Sequence, residues 1–277
     1  MKRRIKPADV LRTVFALFLV LLIAFPFFWL LLGSFKTMRE LFAVPIAFWP
    51  EQWRLDNYFE VFRAEPFGRY ILNSFCIASI ATLVVVFASS LASYSMARVN
   101  IKGKKLILML VLTVALLPPI TLLNPIYQML ANLNALNTWR GLALVMASIE
   151  LPTAIWLLTS FFQSIPMELE ESAMLDGASM VRTYTSIIFP LVSPGVFTVS
   201  IMTFITVWNN YLFASVFNQR QMARTVTVGL TMIETEAYRP WHVISAAAII
   251  SSIPLIIMVL LMQKRIISGM TEGGVKG

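Results

Sequence analysis

Residues 13–35 read TVFALFLVLLIAFPFFWLLLGSF, a run without one charged side chain, closed at its two ends by Arg12 and Lys36. A helix rises about 1.5 Å per residue, so a run of this length crosses a hydrocarbon core about 30 Å thick. The rest of the chain shares its character. Of 277 residues, 58% are hydrophobic and 13% charged, against about 25% charged residues in soluble domains. Lipid is therefore the main solvent. Further stretches at 70–97, 106–130, 141–162, 190–216 and 243–263 are long and nearly free of charge. They predict an all-α fold, a polytopic membrane protein with six transmembrane helices and no separate soluble domain in 1–277. Pro118, Pro119 and Pro125 predict a bend or break in the third stretch, and Pro152 a local break in the fourth.

The charges that remain orient the spans. Lys2, Arg3, Arg4, Lys6 and Arg12 precede the first, and Arg98, Lys102, Lys104 and Lys105 follow the second. The next loop holds Arg140, and Lys264, Arg265 and Lys276 follow the last span. The positive-inside rule then predicts an N-in, C-in topology. The first apolar run is too long for the h-region of a signal peptide and is expected to be retained. The loop 34–69 carries as many acids as cations and is rich in aromatic residues. Asp56 is expected to cap a short helix over 57–64. That helix reads either as an interfacial element in the headgroups or as a docking surface for a partner.

Several classes are excluded. One cysteine, Cys76, makes no internal disulfide, and with the single His242 it makes no Cys/His zinc site. No Walker-type phosphate loop occurs. Catalytic, cofactor-binding and metal sites are accordingly expected to be absent, and His242 is expected to be solvated. The net charge of +8 fits cationic ends against anionic membrane lipid rather than nucleic acid.

The segment 164–189 opens SIPMELEESAMLDGAS. Ser164 is expected to cap a helix, with Pro166 in its first turn. Glu168, Glu170 and Glu171 place negative charge at the positive end of the helix dipole. Gly177 can take the left-handed conformation that stops a helix. The expected element is a capped helix of about three turns, with Leu169, Ala173 and Asp176 along one side and Ala178 just beyond. A second amphipathic segment, 180–189, precedes the span expected to start at Pro190. Anionic headgroups repel so acidic a helix, so a protein partner fits better.

At these residues a resemblance becomes specific. Glu171-Ser172-Ala173, then Gly177, then Ile187-x-Phe189-Pro190 resembles the EAA signature, E-A-A-x3-G-x9-I-x-L-P, of ABC importer permeases, departing at Ser172 and Phe189. Ser34 to Thr37, Pro45, Pro50, Asn57-Tyr58, Asn73-Ser74, Tyr94 to Arg98, Pro118-Pro119, Asn137-Thr138, Gly141-Leu142 and Trp208-Asn209 are similar to carbohydrate-importer permeases. So is the ending from Gly269 to Gly277. The resemblance is to the shorter, maltose-type permease subunit of a binding-protein-dependent sugar importer. It implies half of a translocation pore in a bacterial or archaeal plasma membrane, completed by a second permease subunit. It also implies two cytoplasmic ATPase subunits, which bind ATP and magnesium, and an extracytoplasmic solute-binding protein. Glu168, Glu170, Glu171, Ala173, Asp176, Gly177 and Ala178 would then form the coupling helix that docks on the ATPase. The chain itself would be no enzyme.

Within the spans, Glu150 is an acid near the middle of the fourth. Such charges face a cavity or a partner, so Glu150 either lines the substrate path or pairs with a neighbouring subunit. Trp208, Asn209 and Asn210 offer a ring and two amides, suited equally to holding a sugar and to joining membrane helices. An ion-driven secondary transporter is expected to carry more intramembrane acids and an internal repeat. An ABC permease for a non-sugar solute is the nearer alternative.

Overall fold

A computed structural model describes residues 7–233 and 239–274, all-helical and without a strand among them. The cations Lys2, Arg3, Arg4 and Lys6 and the end of the tail, 275–277, lie outside the described residues. So do the side chains of Lys264, Arg265 and the rest of the tail.

Among the described residues, five helices are long and apolar enough to cross a membrane. They are Val10–Gly33 within α1 (Pro7–Gly33), α4 (Phe67–Arg98), α7 (Trp139–Ser164), Met180–Trp208, and Trp241–Met262 within α13 (Trp241–Gly274). None of the apolar window of α1 is buried by the chain itself. Water would penalise each Å² of that surface by about 25 cal/mol, so its natural contacts are lipid or a partner.

The stretch expected as one span at 106–130 is two legs. α5 (Lys104–Ala115) and the segment Pro119–Asn132, whose main part is α6 (Leu123–Asn132), meet at 86°. Residues before proline avoid the α region, and α5 closes on tight bonds from Leu116 N to Thr113 O and Leu117 N to Val114 O. Pro119 then opens a 3-10 turn, Pro119–Leu122. Pro125 falls in the first turn of α6, where its missing N–H costs nothing.

The fifth stretch is displaced from 190–216. Its helix starts at Met180 as α9 (Met180–Thr183), passes a π turn (Tyr184–Ile188) and continues as α10 (Phe189–Trp208). Proline lacks the N–H of a regular turn and its ring crowds the preceding one. The wider turn, with Phe189 N bonding Tyr184 O, carries the helix through Pro190. It ends at Trp208, and α11 (Leu212–Phe217) is separate. Pro152 breaks nothing: α7 runs uninterrupted past it, as membrane helices allow.

The chain divides into two compact units, Met1–Phe67 with Leu230–Ile253, and Gly68–Gly229 with Pro254–Gly277. In the first, a knot follows α1. Lys36 is 1% exposed, donates from Nζ to Ala47 O at 2.5 Å, and lies 4.7 Å from the Trp29 ring centre. Its burial lowers its pKa, with Glu40 acting against that shift. Asn57 Nδ2 donates to Ser34 O (2.8 Å) and Lys36 O (2.9 Å), and the Ser34 and Tyr58 hydroxyls are 2.7 Å apart. Thr37 and Glu40 form a capping box on α2 (Met38–Leu41). Asp56 is no cap: α3 (Asp56–Ala64) begins with it, behind Leu55, and has no side-chain cap bond. His242 is also not freely solvated, since it is only half-exposed and its buried Nδ1 has no hydrogen-bond partner.

The second unit holds the helix core that positions the site. α4 and α7 run parallel, joined by Ser93 Oγ donating to Ile155 O at 2.8 Å. α10 runs against them, with Phe75 near the start of α4 stacking edge-on, at 5.9 Å, to Phe204 near the end of α10. The helix ends therefore gather at two opposite ends of the core.

Candidate functional site

At one end of the core, the acidic helix α8 (Glu168–Leu175) forms, but it is two turns long and starts later than expected. Ser164 belongs to the preceding helix, its hydroxyl donating back to Phe161 O at 2.7 Å. Met167 stands at the cap position without a side-chain bond. The stop is at the expected residue. Gly177 has φ +82°, Ala178 N bonds Ala173 O and Gly177 N bonds Met174 O, both at 3.0 Å. This paired arrangement satisfies the last carbonyls of the helix. Ser179 then caps α9, accepting from Arg182 N. The product is a helix–glycine–helix corner.

Of the acids on α8, Glu168, Glu171 and Asp176 are exposed, whereas Glu170 is 6% exposed. Its carboxylate is spoken for within the chain. Arg98 Nε donates to Oε1 and Tyr94 Oη donates to Oε2 at 3.0 Å. Arg98 Nη2 also donates to Ile165 O at 3.0 Å. Glu170 thus points into the chain's own helix core. Ala173, one turn on, is buried with it, while Leu169 and Asp176 are exposed. The expected shared side of Leu169, Ala173 and Asp176 is therefore not one environment. Tyr94 packs on Tyr184 at 4.9 Å and on Phe162 at 5.7 Å, gathering the ends of α4 and α7 and the π turn around this ion pair.

The outward side of the corner is apolar. Leu175 is 89% exposed, Val181 73%, Met180 58% and Met174 50%. These exposed side chains flank Gly177 along the chain, and Glu168, Glu171 and Asp176 near them are exposed as well.

The opposite end of the core is held by neutral groups. Asn73 on the first turns of α4 donates from Nδ2 to Met222 O (3.0 Å) and Arg224 O (2.8 Å), and its Oδ1 accepts from Trp139 Nε1 at 2.8 Å. Ser74 Oγ accepts from Val226 N, the first residue of α12 (Val226–Met232), at 2.8 Å. Asn137, at φ +59°, accepts from Arg220 N at 2.8 Å and donates its own N–H to Phe217 O at 2.8 Å. Thr138 caps α7 on Gly141 N. A Cβ at Gly141 would meet Ala135 O at 2.2 Å, so only glycine fits there. An open cleft of about 380 Å³ lies beside this network, lined by Arg69, Arg220 and Trp139. The Arg69 guanidinium sits 5.3 Å from the Trp139 ring centre. Several of these residues stand out in the sequence by resemblance alone; the hydrogen bonds supply their physical work.

The polar residues named inside the spans are not brought together as one set. Glu150 is half-exposed on α7. Trp208 is 2% exposed and stacked on Phe204 at 5.9 Å, so its ring packs within the core. Asn209 and Asn210 lie in the break after α10 rather than in a span. Asn209 is exposed. Asn210 Oδ1 accepts from Phe213 N at 3.1 Å, and Asn210 O accepts from Thr227 Oγ1 at 2.9 Å. A larger cavity of about 420 Å³ lies among α5, α6 and α7, lined by Val114, Leu122, Ile126, Met129 and Leu144, with Arg140 and Ser148 the polar side chains on its wall. So few polar partners suit an apolar occupant, not a sugar rich in hydroxyls. Among the described residues no cluster of His, Cys, Asp and Glu could hold a metal.

Comparison with known proteins agrees with the helix arrangement. Residues 85–272 match the family described as binding-protein-dependent transport system inner membrane component. The sulfoquinovosyl glycerol transport system permease SmoH of Agrobacterium fabrum is 39% identical over 253 residues, 91% of this chain and 89% of that protein. The trehalose/maltose permease MalG of Thermococcus litoralis is 37% identical over 97% of both chains. A chain in the crystal structure of a bacterial ABC transporter that imports alginate shares the fold, with TM-score 0.79 over 95% of this chain and 99% of that one, at 19% identity.

Proposed function

The chain belongs to the family of binding-protein-dependent transport system inner membrane components, and from that premise we propose that it forms half of the translocation path of an ATP-driven carbohydrate importer. Carbohydrate as the substrate class rests on the printed functions of the relatives, trehalose/maltose and sulfoquinovosyl glycerol transport. A second permease subunit completes the path, a solute-binding protein delivers the sugar, and two ATPase subunits supply the energy. The protein performs no covalent chemistry of its own.

The observation that carries the coupling role is the exposed apolar corner of α8 and α9. The charge pattern of the loops supports six spans with both termini inside, counting the bent pair α5–α6 as the third, which leaves this corner in the cytoplasm. There, outside the lipid, a patch containing Leu175 at 89% exposure demands a protein cover. Its acidic edge, Glu168, Glu171 and Asp176, repels anionic headgroups and favours a basic groove. Closure of the ATPase subunits on ATP would push this corner and turn the spans between inward- and outward-open states. On the other face, the cleft of Arg69, Arg220 and Trp139 is a natural landing point for the binding protein. Glu150 and the exposed Asn209 are the residues best placed in the sequence to meet sugar hydroxyls.

Reconstitution of the chain with its second permease, ATPase and binding protein in liposomes tests the whole reading. ATP-dependent uptake of maltose, trehalose or sulfoquinovosyl glycerol is expected. Uptake of a non-sugar solute alone, or uptake driven by an ion gradient without ATP, would overturn it.

A further inference from the structure

Glu170 stands among three acids at the start of α8, yet it turns inward. Removing two charges from water costs several kcal/mol per ion, so a buried pair such as Arg98–Glu170 adds little net stability over an apolar substitute. What such a pair supplies is geometry. The planar guanidinium has donors in a fixed fork, and Arg98 uses them on two different segments, Glu170 of α8 and the Ile165 carbonyl that follows α7. Tyr94, one turn earlier on α4, takes the second carboxylate oxygen. Both oxygens of Glu170 are thus fixed by the last two turns of one helix. The same tyrosine packs on Phe162 of α7 and Tyr184 of the π turn.

Resting on the coupling reading above, we propose that Glu170 is a positioning residue that locks α8 to the end of α4. A push on the exposed side of α8 then moves α4 with it as one body, rather than bending the short segment 165–167. Without the lock, α8 is held by its buried Ala173 and by its two ends, the segment after α7 and Gly177, a residue in the left-handed region whose backbone meets no neighbour that would brace a side chain. The acids divide their labour: Glu168, Glu171 and Asp176 face the partner, and Glu170 faces the spans.

The experiment measures a distance within one chain. Spin labels at Leu169→Cys on α8 and Leu83→Cys on α4, both exposed in the wild type, are introduced on a Cys76→Ser background. Pulsed EPR is recorded for the permease alone and for the complex, without nucleotide and trapped with Mg-ATP and vanadate. One narrow distance, the same in both nucleotide states, is expected with Glu170 present. Glu170→Gln is expected to widen the distribution about twofold and to shift it on trapping, because the locked state no longer dominates. Tyr94→Phe, which keeps the ion pair, gives a smaller widening and guards against a misfolded Glu170 variant. ATPase copurification with Glu170→Gln is expected to stay at the wild-type level, an outcome a general folding defect would not give. The proposal is overturned if the wild-type distance shifts on trapping as it does in Glu170→Gln, or if Glu170→Gln leaves it unchanged. If no ATPase copurifies even with the wild type, the coupling reading falls; the width measured on the permease alone still decides whether the lock exists.

Discussion

The two ends of the helix core are built from opposite chemistry. At the Asn73 end, helix starts and returning loops are tied by neutral amides, hydroxyls and an indole to backbone carbonyls and N–H groups. At the Glu170 end, one buried ion pair and a ring cluster do the joining, and the surface beyond is apolar and uncovered. Backbone-directed bonds have a single partner geometry and leave a rigid cap. A buried charge pair whose helix ends in open contact is a joint that can be pushed without coming apart. On the coupling role proposed above, the contrast is between a part that closes the core and a part that receives force.

Leu175→Asp should give the largest effect. It replaces the most exposed apolar side chain of the corner, and truncating an interface hot spot costs about 2 kcal/mol or more. ATPase copurification should fall at least about tenfold, while the melting temperature of the isolated chain stays unchanged. Unchanged copurification would remove the contrast altogether.

On the stability of the chain itself the largest loss is expected of Arg98→Ala, which leaves Glu170 buried without its cation and should cost about 3–5 kcal/mol, read as a lower Tm of the detergent-solubilised chain. Arg98→Ala with Glu170→Ala should recover most of that loss. Failure of the double variant to recover would mean that Arg98 acts chiefly through Ile165. At the opposite end, Asn73→Ala takes the partner from a half-buried indole donor and removes the buried Asn73 amide's bonds to two loop carbonyls, a loss of about 1–3 kcal/mol. Its signature is a lower Tm with ATPase recruitment intact per folded molecule. If recruitment fell as steeply as with Leu175→Asp, the two ends would not be functionally distinct.

The smallest effect is a control in the other compact unit. Burial works to raise the Glu40 pKa, but the backbone and hydroxyl bonds from Thr37, the Glu51 N–H and the Lys36 charge outweigh it and hold it below its usual value. A carboxyl with a depressed folded pKa contributes stability that is present above its unfolded pKa and fades as pH falls through the folded one. Thermal melts should therefore show a Glu40-dependent loss below about pH 4.5, absent in Glu40→Gln. The response of Asn73→Ala to pH should match that of the wild type.

Much of this was legible in the sequence because it is local. The stop at Gly177 needs only a residue free to take φ +82°, and Pro118-Pro119 announces a bend for steric reasons confined to neighbouring residues. Other readings failed where a local rule met a non-local option. Pro152 and Pro190 sit inside helices because packed neighbours and a π turn absorb the missing N–H. Ser164 bonds back into α7 instead of capping α8. Of the two roles open to Trp208, holding a sugar or joining helices, its stacking on Phe204 one turn earlier fits the second.

The sequence by itself determined the solvent and the fold class, since scarce charge and long apolar runs leave helices in lipid as the economical solution. It also determined that residues 168–177 form a short acidic helix with an abrupt end. Only the tertiary structure decided which of those acids points where. Glu168, Glu170 and Glu171 are alike in composition and nearly adjacent, and what separates them is a rotation of about 100° per residue relative to Arg98 and Tyr94, which come from a helix two spans earlier. Helix periodicity is written in neighbouring residues. The side that will be buried depends on partners that only folding brings within hydrogen-bond reach.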